Sequence, residues 1–453
     1  MTLTKSLLLG TAAAFAAIAG ANAADLPSKK AAPAQYVKIC DAYGNGFYYI
    51  PGSETCLKLG GFVRVDYQYT PGKDLRSTAG VLTQDAVDQD KIGQEIRGRI
   101  DMDARTSTAW GTAQAVVRLR GANADGIRNA SLSSGVYAPS GNSGTGITME
   151  RAYIRFAGFS FGLGDDIFTT MPSVMYHSGP SAGFASGIKN LSYTAVFGGG
   201  FTASVQVASK TDYSFGTKVA DFTYNHDFDT ALVVSGALRY TQSWGYIQAM
   251  GAFTTNSTST APLNTNAPLL GAATTGAWAL GMGAQFLLPM IAAGDSLSLY
   301  AAYADGLAGL TGCSDLNTCS NSGNKRILGG IPGTFANMVL TNNVGSNVYK
   351  NTKAWTVQGI FTHYWTPSVR SNFTAGYNQF LVPTVAAGPG VQPGNSSLWM
   401  AAGNLVWSPV RQLDLGIELA YYQNKVGFQN VATGISGRTN SNWSVKTRVE
   451  RTF

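Results

Sequence analysis

The chain has 453 residues and a formal charge of +7, yet only 13 % of its residues are charged, against about 25 % in an ordinary soluble domain. Hydrophobic content is 45 %, with 54 Gly, 21 Tyr and 21 Phe. A poorly charged, glycine- and aromatic-rich chain with no hydrophobic helix fits a transmembrane barrel, and a secreted β-sandwich or β-helix would share some of this composition. Its basic residues are dispersed singly along the chain, which argues against a nucleic-acid partner.

The first 23 residues read as a secretory signal peptide. Lys5 supplies the positive region, Leu7 to Ile18 a short apolar stretch, and Ala21-Asn22-Ala23 the small-residue cleavage site. Its removal takes away Lys5 and lowers the formal charge by one, to +6. Residues 24–58 form an N-terminal segment with Cys40 and Cys56. Those two and the second local pair, Cys313 and Cys319, are expected as disulfides in an oxidising compartment. Neither pair has a nearby His or the spacing of a zinc site, so no metal and no cofactor is expected.

From Leu59 to the chain end, no apolar run is long enough to cross a bilayer as a helix. Instead the sequence alternates with period two. Val63, Val65, Tyr67 and Tyr69 fall on one face, with Arg64, Asp66 and Gln68 on the other. Phe201, Ala203, Val205 and Val207 alternate with Thr202, Ser204 and Gln206, and Leu413 to Tyr421 repeats the pattern around Asp414 and Glu418. Such segments of about ten residues are what tilted membrane strands need. Short links are expected at 105–108, Gly158, 198–200, 241–244, 288–294, 366–367 and 409–410. Long links are expected at 70–90, 121–146, 167–188, 209–229, 255–274, 306–352, 381–396 and 424–440. Alternating short turns and long loops predict an all-β fold, a transmembrane antiparallel β-barrel over 59–453. The stretch 217–226 also alternates, which would make the strand count odd. Both ends of such a barrel lie on one side, so this stretch is assigned to the fourth long loop, leaving about sixteen strands. Trp443, Val445, Val449 and Phe453 share the outward face of the last strand, with the terminal ring expected in an interfacial girdle.

The opposite phase would line a wet lumen. Arg64, Arg97, Arg99, Arg118, Arg120, Arg151 and Arg155 fall there in the first four strands, near Asp66, Asp101, Asp103 and Glu150. Each Arg has two readings, a selectivity role or simple pairing with a neighbouring carboxylate that holds the wall. The loop 167–188 contains Met171-Pro172-Ser173-Val174-Met175-Tyr176-His177, with Asp165 and Asp166 before it. Folded into the lumen opposite the arginines, it would make a transversely polarised constriction. Left outside, it would be a solvated surface loop.

The stretches Tyr36–Gly44, Gly46–Gly52 and Cys56–Gly61, together with Ser243-Trp244-Gly245 and the final Phe453, resemble alphaproteobacterial porins. The resemblance implies a sixteen-stranded homotrimer in the lipid of the bacterial outer membrane, its third loop folded into a channel for small hydrophilic solutes and ions. It makes Asp165, Asp166 and the seven arginines candidate constriction residues. The loop lacks the dense acidic cluster typical of many general porins, and lumen arginines outnumber nearby acids, which points to a weak anion preference. An enzyme is not expected, because His177, His226 and His363 lie apart and no Gly-x-Ser-x-Gly motif surrounds a serine. A substrate-specific channel would need a lumenal aromatic track, and the aromatics take mostly the outward phase. A non-conducting structural or adhesive barrel is the remaining alternative.

Overall fold

The computed structural model describes residues 38–71, 75–78, 81–84, 92–126, 144–177, 187–209, 232–258, 273–311, 338–343, 346–383, 391–430 and 436–453. The expected signal peptide, the Cys313–Cys319 pair, His226 and 217–226 lie outside them.

Sixteen strands form the wall. In chain order they are β1 Cys56–Tyr69, β2 Ile92–Thr108, β3 Gly111–Gly126, β4 Gly144–Phe156, β5 Phe159–Gly164, β6 Ile188–Gly198, β7 Phe201–Ser209 and β8 Leu232–Gln242. They continue as β9 Gly245–Thr258, β10 Ala273–Leu287, β11 Ser296–Asp305, β12 Lys353–Thr366, β13 Val369–Leu381, β14 Val391–Val410, β15 Leu413–Asn430 and β16 Ser436–Thr452. Each pairs antiparallel with its sequence neighbours, and β1 pairs with β16, so the sheet closes. The seam runs Phe62↔Thr452 to Tyr69↔Val445. Phe453 finishes it, donating its N–H to Gly61 O and accepting from Gly61 N, both at 3.1 Å. Closure matters because an open strand edge in hydrocarbon would leave backbone groups unbonded.

Strands β7 and β8 pair directly from Phe201↔Tyr240 to Ser209↔Leu232. No strand therefore stands between them, and the even count follows. The links differ from the expected ones chiefly at strand ends. Expected at 105–108, the first turn falls instead at Ala109–Trp110, because the ladder continues to Thr108↔Gly111. Expected loops at 121–146, 381–396 and 424–440 shrink, since β3 reaches Gly126, β14 starts at Val391 and β15 reaches Asn430. Alternation marks only the lipid-crossing part of a strand. Beyond the lipid nothing demands an apolar face, so polar extensions carry no period-two signal.

Outward side chains are apolar and exposed, as at Val63, Ile100, Leu238, Leu280 and Leu419. Rings form two belts. Tyr69–Trp443, Trp399–Tyr421, Trp355–Tyr377 and Trp278–Tyr303 lie at the long-loop end, with centroids 5.0–5.6 Å apart. Phe159–Tyr193, Phe201–Tyr240 and Trp244–Phe286 lie at the short-turn end. Amphipathic rings favour the two membrane interfaces. The wall thus has a greasy belt bounded on both sides.

At the short-turn end, residues 38–55 form a small knuckle. A Cys40–Cys56 disulfide ties it to β1, with Cys40, Cys56 and Phe47 buried together. Tyr48 and Tyr49 pair with Leu57 and Cys56, below the point where β16 ends.

Candidate functional site

The site is the inner face and the segment 165–177 that follows β5. After Gly164 the chain leaves the wall. Asp166, buried, caps the turn by accepting the Phe168 amide at 2.6 Å. Inner-face side chains then grip the backbone. Ile167 N donates to Gln206 Oε1 of β7 at 3.1 Å, and Gln248 Nε2 of β9 donates to Ile167 O at 2.8 Å. Tyr246 OH, also of β9, donates to Thr170 O at 2.6 Å. Thr170 occupies a niche at Gly283 of β10, where an added Cβ would sit 2.4 Å from its Oγ1.

The far end of the segment docks on different strands. Asn404 Nδ2 of β14 donates to Val174 O at 3.1 Å. Glu418 of β15 accepts the amides of Tyr176 and His177 at 2.7 and 2.6 Å and pairs with His177 Nδ1 at 2.9 Å. Lys446 Nζ of β16 donates to Tyr176 O at 2.6 Å. Gly416 leaves room for the Tyr176 phenol, whose oxygen would lie 2.0 Å from an added Cβ. Glu418, Ser444 and Lys446 are all essentially inaccessible to solvent. In thirteen residues the chain therefore passes from the β5 end to β16 along the inner face of β7–β15.

Opposite it stand the predicted arginines, all on the inward phase of β1–β4. Arg64 bonds Glu450 at 2.5 Å, Arg97 bonds Glu95, and Asp101 takes both Arg99, at 3.0 Å, and Arg118. Arg120 pairs with Glu150 and Arg151 with Asp165, each at 2.7 Å. Arg155 instead lies over the Tyr153 ring, 4.7 Å from its centroid. The wall-holding pairs foreseen for single arginines thus exist at six of seven positions. Several inner-face groups were not singled out in advance. Arg448 pairs with Asp66 at 2.7 Å, Arg370 with Asp414 at 2.5 Å, and Arg239 stacks on Tyr246 at 3.5 Å. Their polar phase was visible in the alternation, but the partner lies 382 residues away for Arg448 and 44 for Arg370.

Glu418, His177 and Ser444 line up in the order of a hydrolytic triad, with His177 Nε2 2.9 Å from Ser444 Oγ. Ser444 is fully buried, and its Oγ lies 2.7 Å from Thr70 Oγ1 and 3.2 Å from Tyr69 O. No acyl group can reach that oxygen, and Glu418 is committed to loop amides, so the cluster is a fastening.

A second cluster fills one side of the interior. Phe168 packs with Met250, Ala279 and Tyr300, and Leu307 and Leu310 fold in from the sixth long loop. Tyr300 OH donates to Leu310 O at 2.9 Å.

A closed sixteen-stranded cylinder with an apolar exterior, two aromatic belts and a charged interior defines a transmembrane β-barrel of the bacterial outer-membrane class. The chain belongs to the Porin subfamily, whose family model matches residues 25–450. It is 34 % identical over 257 residues to porin Omp2b of Brucella abortus (strain 2308), an alignment covering 55 % of this chain and 65 % of that protein. The corresponding Brucella melitensis protein is 33 % identical over the same shares. The alignment thus spans just under two thirds of these relatives' length. Among solved structures, the outer membrane channel DcaP of Acinetobacter baumannii superposes with a TM-score of 0.57 at 14 % identity. That match covers 89 % of this chain and 99 % of DcaP, a likeness of fold.

Proposed function

We propose that the chain is a water-filled channel of the bacterial outer membrane for passive diffusion of small hydrophilic molecules and ions. The observation that carries this reading is the strapping of 165–177 against the inner face of β7–β15. It leaves the arginine wall of β1–β4 facing open lumen. Charges on both sides of a narrow aqueous passage order its water and favour polar over apolar solutes. Arg64, Arg97, Arg99, Arg118, Arg120, Arg151 and Asp165 line this passage, Arg155 stands toward its short-turn end, and Asp166 shapes the loop beneath it.

A general path is favoured over a sugar track. Among the described residues, inward rings lie under guanidinium groups, as Phe62 does under Arg64 and Arg99 at 4.5 and 4.4 Å, or are buried, as Phe168, Tyr300 and Tyr422 are, which speaks against a bare stacking ladder. Ohmic single-channel conductance of the purified protein in a planar bilayer tests the reading. Silence from correctly folded protein would leave the plugged, structural barrel in its place, and saturable block by one solute the specific channel.

The working unit is proposed to be a homotrimer. Outward positions of β2 and β3 set small or polar residues (Gln94, Gly98, Ala115, Gly121 and Asn123) among the apolar Ile92, Ile96 and Ile100, and no belt ring stands on these strands. Such a face suits packing against protein better than lipid. Native electrophoresis before and after heating distinguishes a trimer from a monomer.

A further inference from the structure

Pairing is uneven along the inner face. Around segment 165–177 the guanidinium groups share carboxylates, as Arg64 does with Glu450, Arg120 with Glu150 and Arg448 with Asp66. Two inner-face guanidinium groups have no carboxylate partner among the described residues. Arg155, near the short-turn end of β4, is solvent-exposed over Tyr153. Arg239, near the short-turn end of β8, lies over Tyr246 and bonds only Thr241 Oγ1, at 3.3 Å. Lys58, at the same end, turns to the knuckle, donating to Asn45 O at 3.3 Å and lying over the Phe47 ring, whereas Arg105 is paired with Asp103 at 2.7 Å.

The difference matters for ions. A close pair is a dipole, and its field dies away faster than that of a lone charge. An aromatic face holds a guanidinium in place without neutralising it or using its N–H donors. Tyr246 also donates to Thr170 O, so Arg239 stands at the foot of the inward segment. Short turns lie on the periplasmic side of such barrels, which places both residues between the constriction and the periplasmic mouth.

Resting on the channel reading above, we infer that Arg155 and Arg239 are its anion-selecting residues, favouring small anions, carboxylates included, on the periplasmic side of the constriction. The ion-paired arginines shape the passage, and these two give it its sign.

The test is the reversal potential of the full mature protein in a KCl gradient. In Arg155→Gln with Arg239→Gln, the anion-to-cation permeability ratio falls at least about twofold near 0.1 M salt. The fall disappears near 1 M, where screening shortens from about 10 Å to about 3 Å. Arg370→Gln with Asp414→Asn, which removes a balanced pair, leaves the ratio at the parent value. A parent-like ratio in the first variant, or an equal fall in the second, overturns the assignment. If conductance at 1 M shows that the Arg239 change has moved the segment, Arg155→Gln alone decides, since Arg155 makes no contact with it. Its ratio must fall for the inference to stand. A parent protein that does not conduct would instead sink the channel reading itself.

Discussion

Replacing Glu418 with Ala removes the anchor of the inward segment. This carboxylate takes four hydrogen bonds, from the amides of Tyr176 and His177, from His177 Nδ1 and from Asn404 Nδ2, the last at 3.0 Å. Hydrogen bonds to a charged group each contribute about 1.5–3 kcal/mol. The sum is an upper bound, because they share one acceptor and the freed loop amides regain water. A net loss of about 3 kcal/mol is a conservative figure within that bound. At 1.4 kcal/mol per decade, this shifts the balance between docked and released states of 174–177 by about 150-fold. Lys446, left buried beside Tyr176 O without its neighbouring anion, adds to the push. The near half of the segment keeps its bonds to Gln206, Gln248 and Tyr246, so only the far half swings out. The expected result is a larger single-channel conductance with added open-channel noise, and new protease cleavage within 171–177. Glu418→Gln, which keeps shape and some acceptor capacity, falls between. Unchanged conductance and cleavage in a folded Glu418→Ala barrel would refute the argument that this carboxylate holds the loop.

Other perturbations probe separate parts. Gly416→Leu fills the seat of the Tyr176 phenol and should raise conductance in the manner of Glu418→Ala, whereas a parent-like value would mean that the ring does not need that niche. Arg97→Glu with Arg99→Glu adds negative charge beside Glu95 and Asp101 and should move the reversal potential toward cations; no movement would mean that permeating ions do not sense this wall. Cys40→Ser with Cys56→Ser opens a crosslink of sequence separation 16, which in the chain-entropy account is worth about 3 kcal/mol. The knuckle should become protease-sensitive while strand content and conductance persist, and loss of the barrel itself would show that the knuckle nucleates closure. Deleting Phe453 removes two seam hydrogen bonds and should lower the yield of heat-modifiable barrel, with a full yield counting against a role in closure.

Much of the wall was legible in the amino-acid sequence. Period-two alternation placed Val63 and Tyr67 outward and Arg64 and Asp66 inward because a strand in lipid must keep apolar side chains on one face. Parity assigned 217–226 to a loop, since both chain ends of such a barrel lie on one side, and β7 and β8 pair directly with no strand between them. Alternation is a local constraint, satisfied within about ten residues of chain, and parity needs only the count of such segments.

Partnership was beyond that reach. Nothing near Glu418 announces that it will bond the amides of Tyr176 and His177, more than two hundred residues earlier, and Arg64 gives no sign of Glu450. Closing the cylinder at Phe62–Thr452 brings the first and last strands together, and only then do these charges meet. Sequence by itself set which side of the wall each residue faces, because lipid and water act on one strand at a time. Which inner charges are cancelled and which stand alone was decided by tertiary structure, because cancellation depends on which side chains the strand pairing and the inward segment bring within contact along the wall.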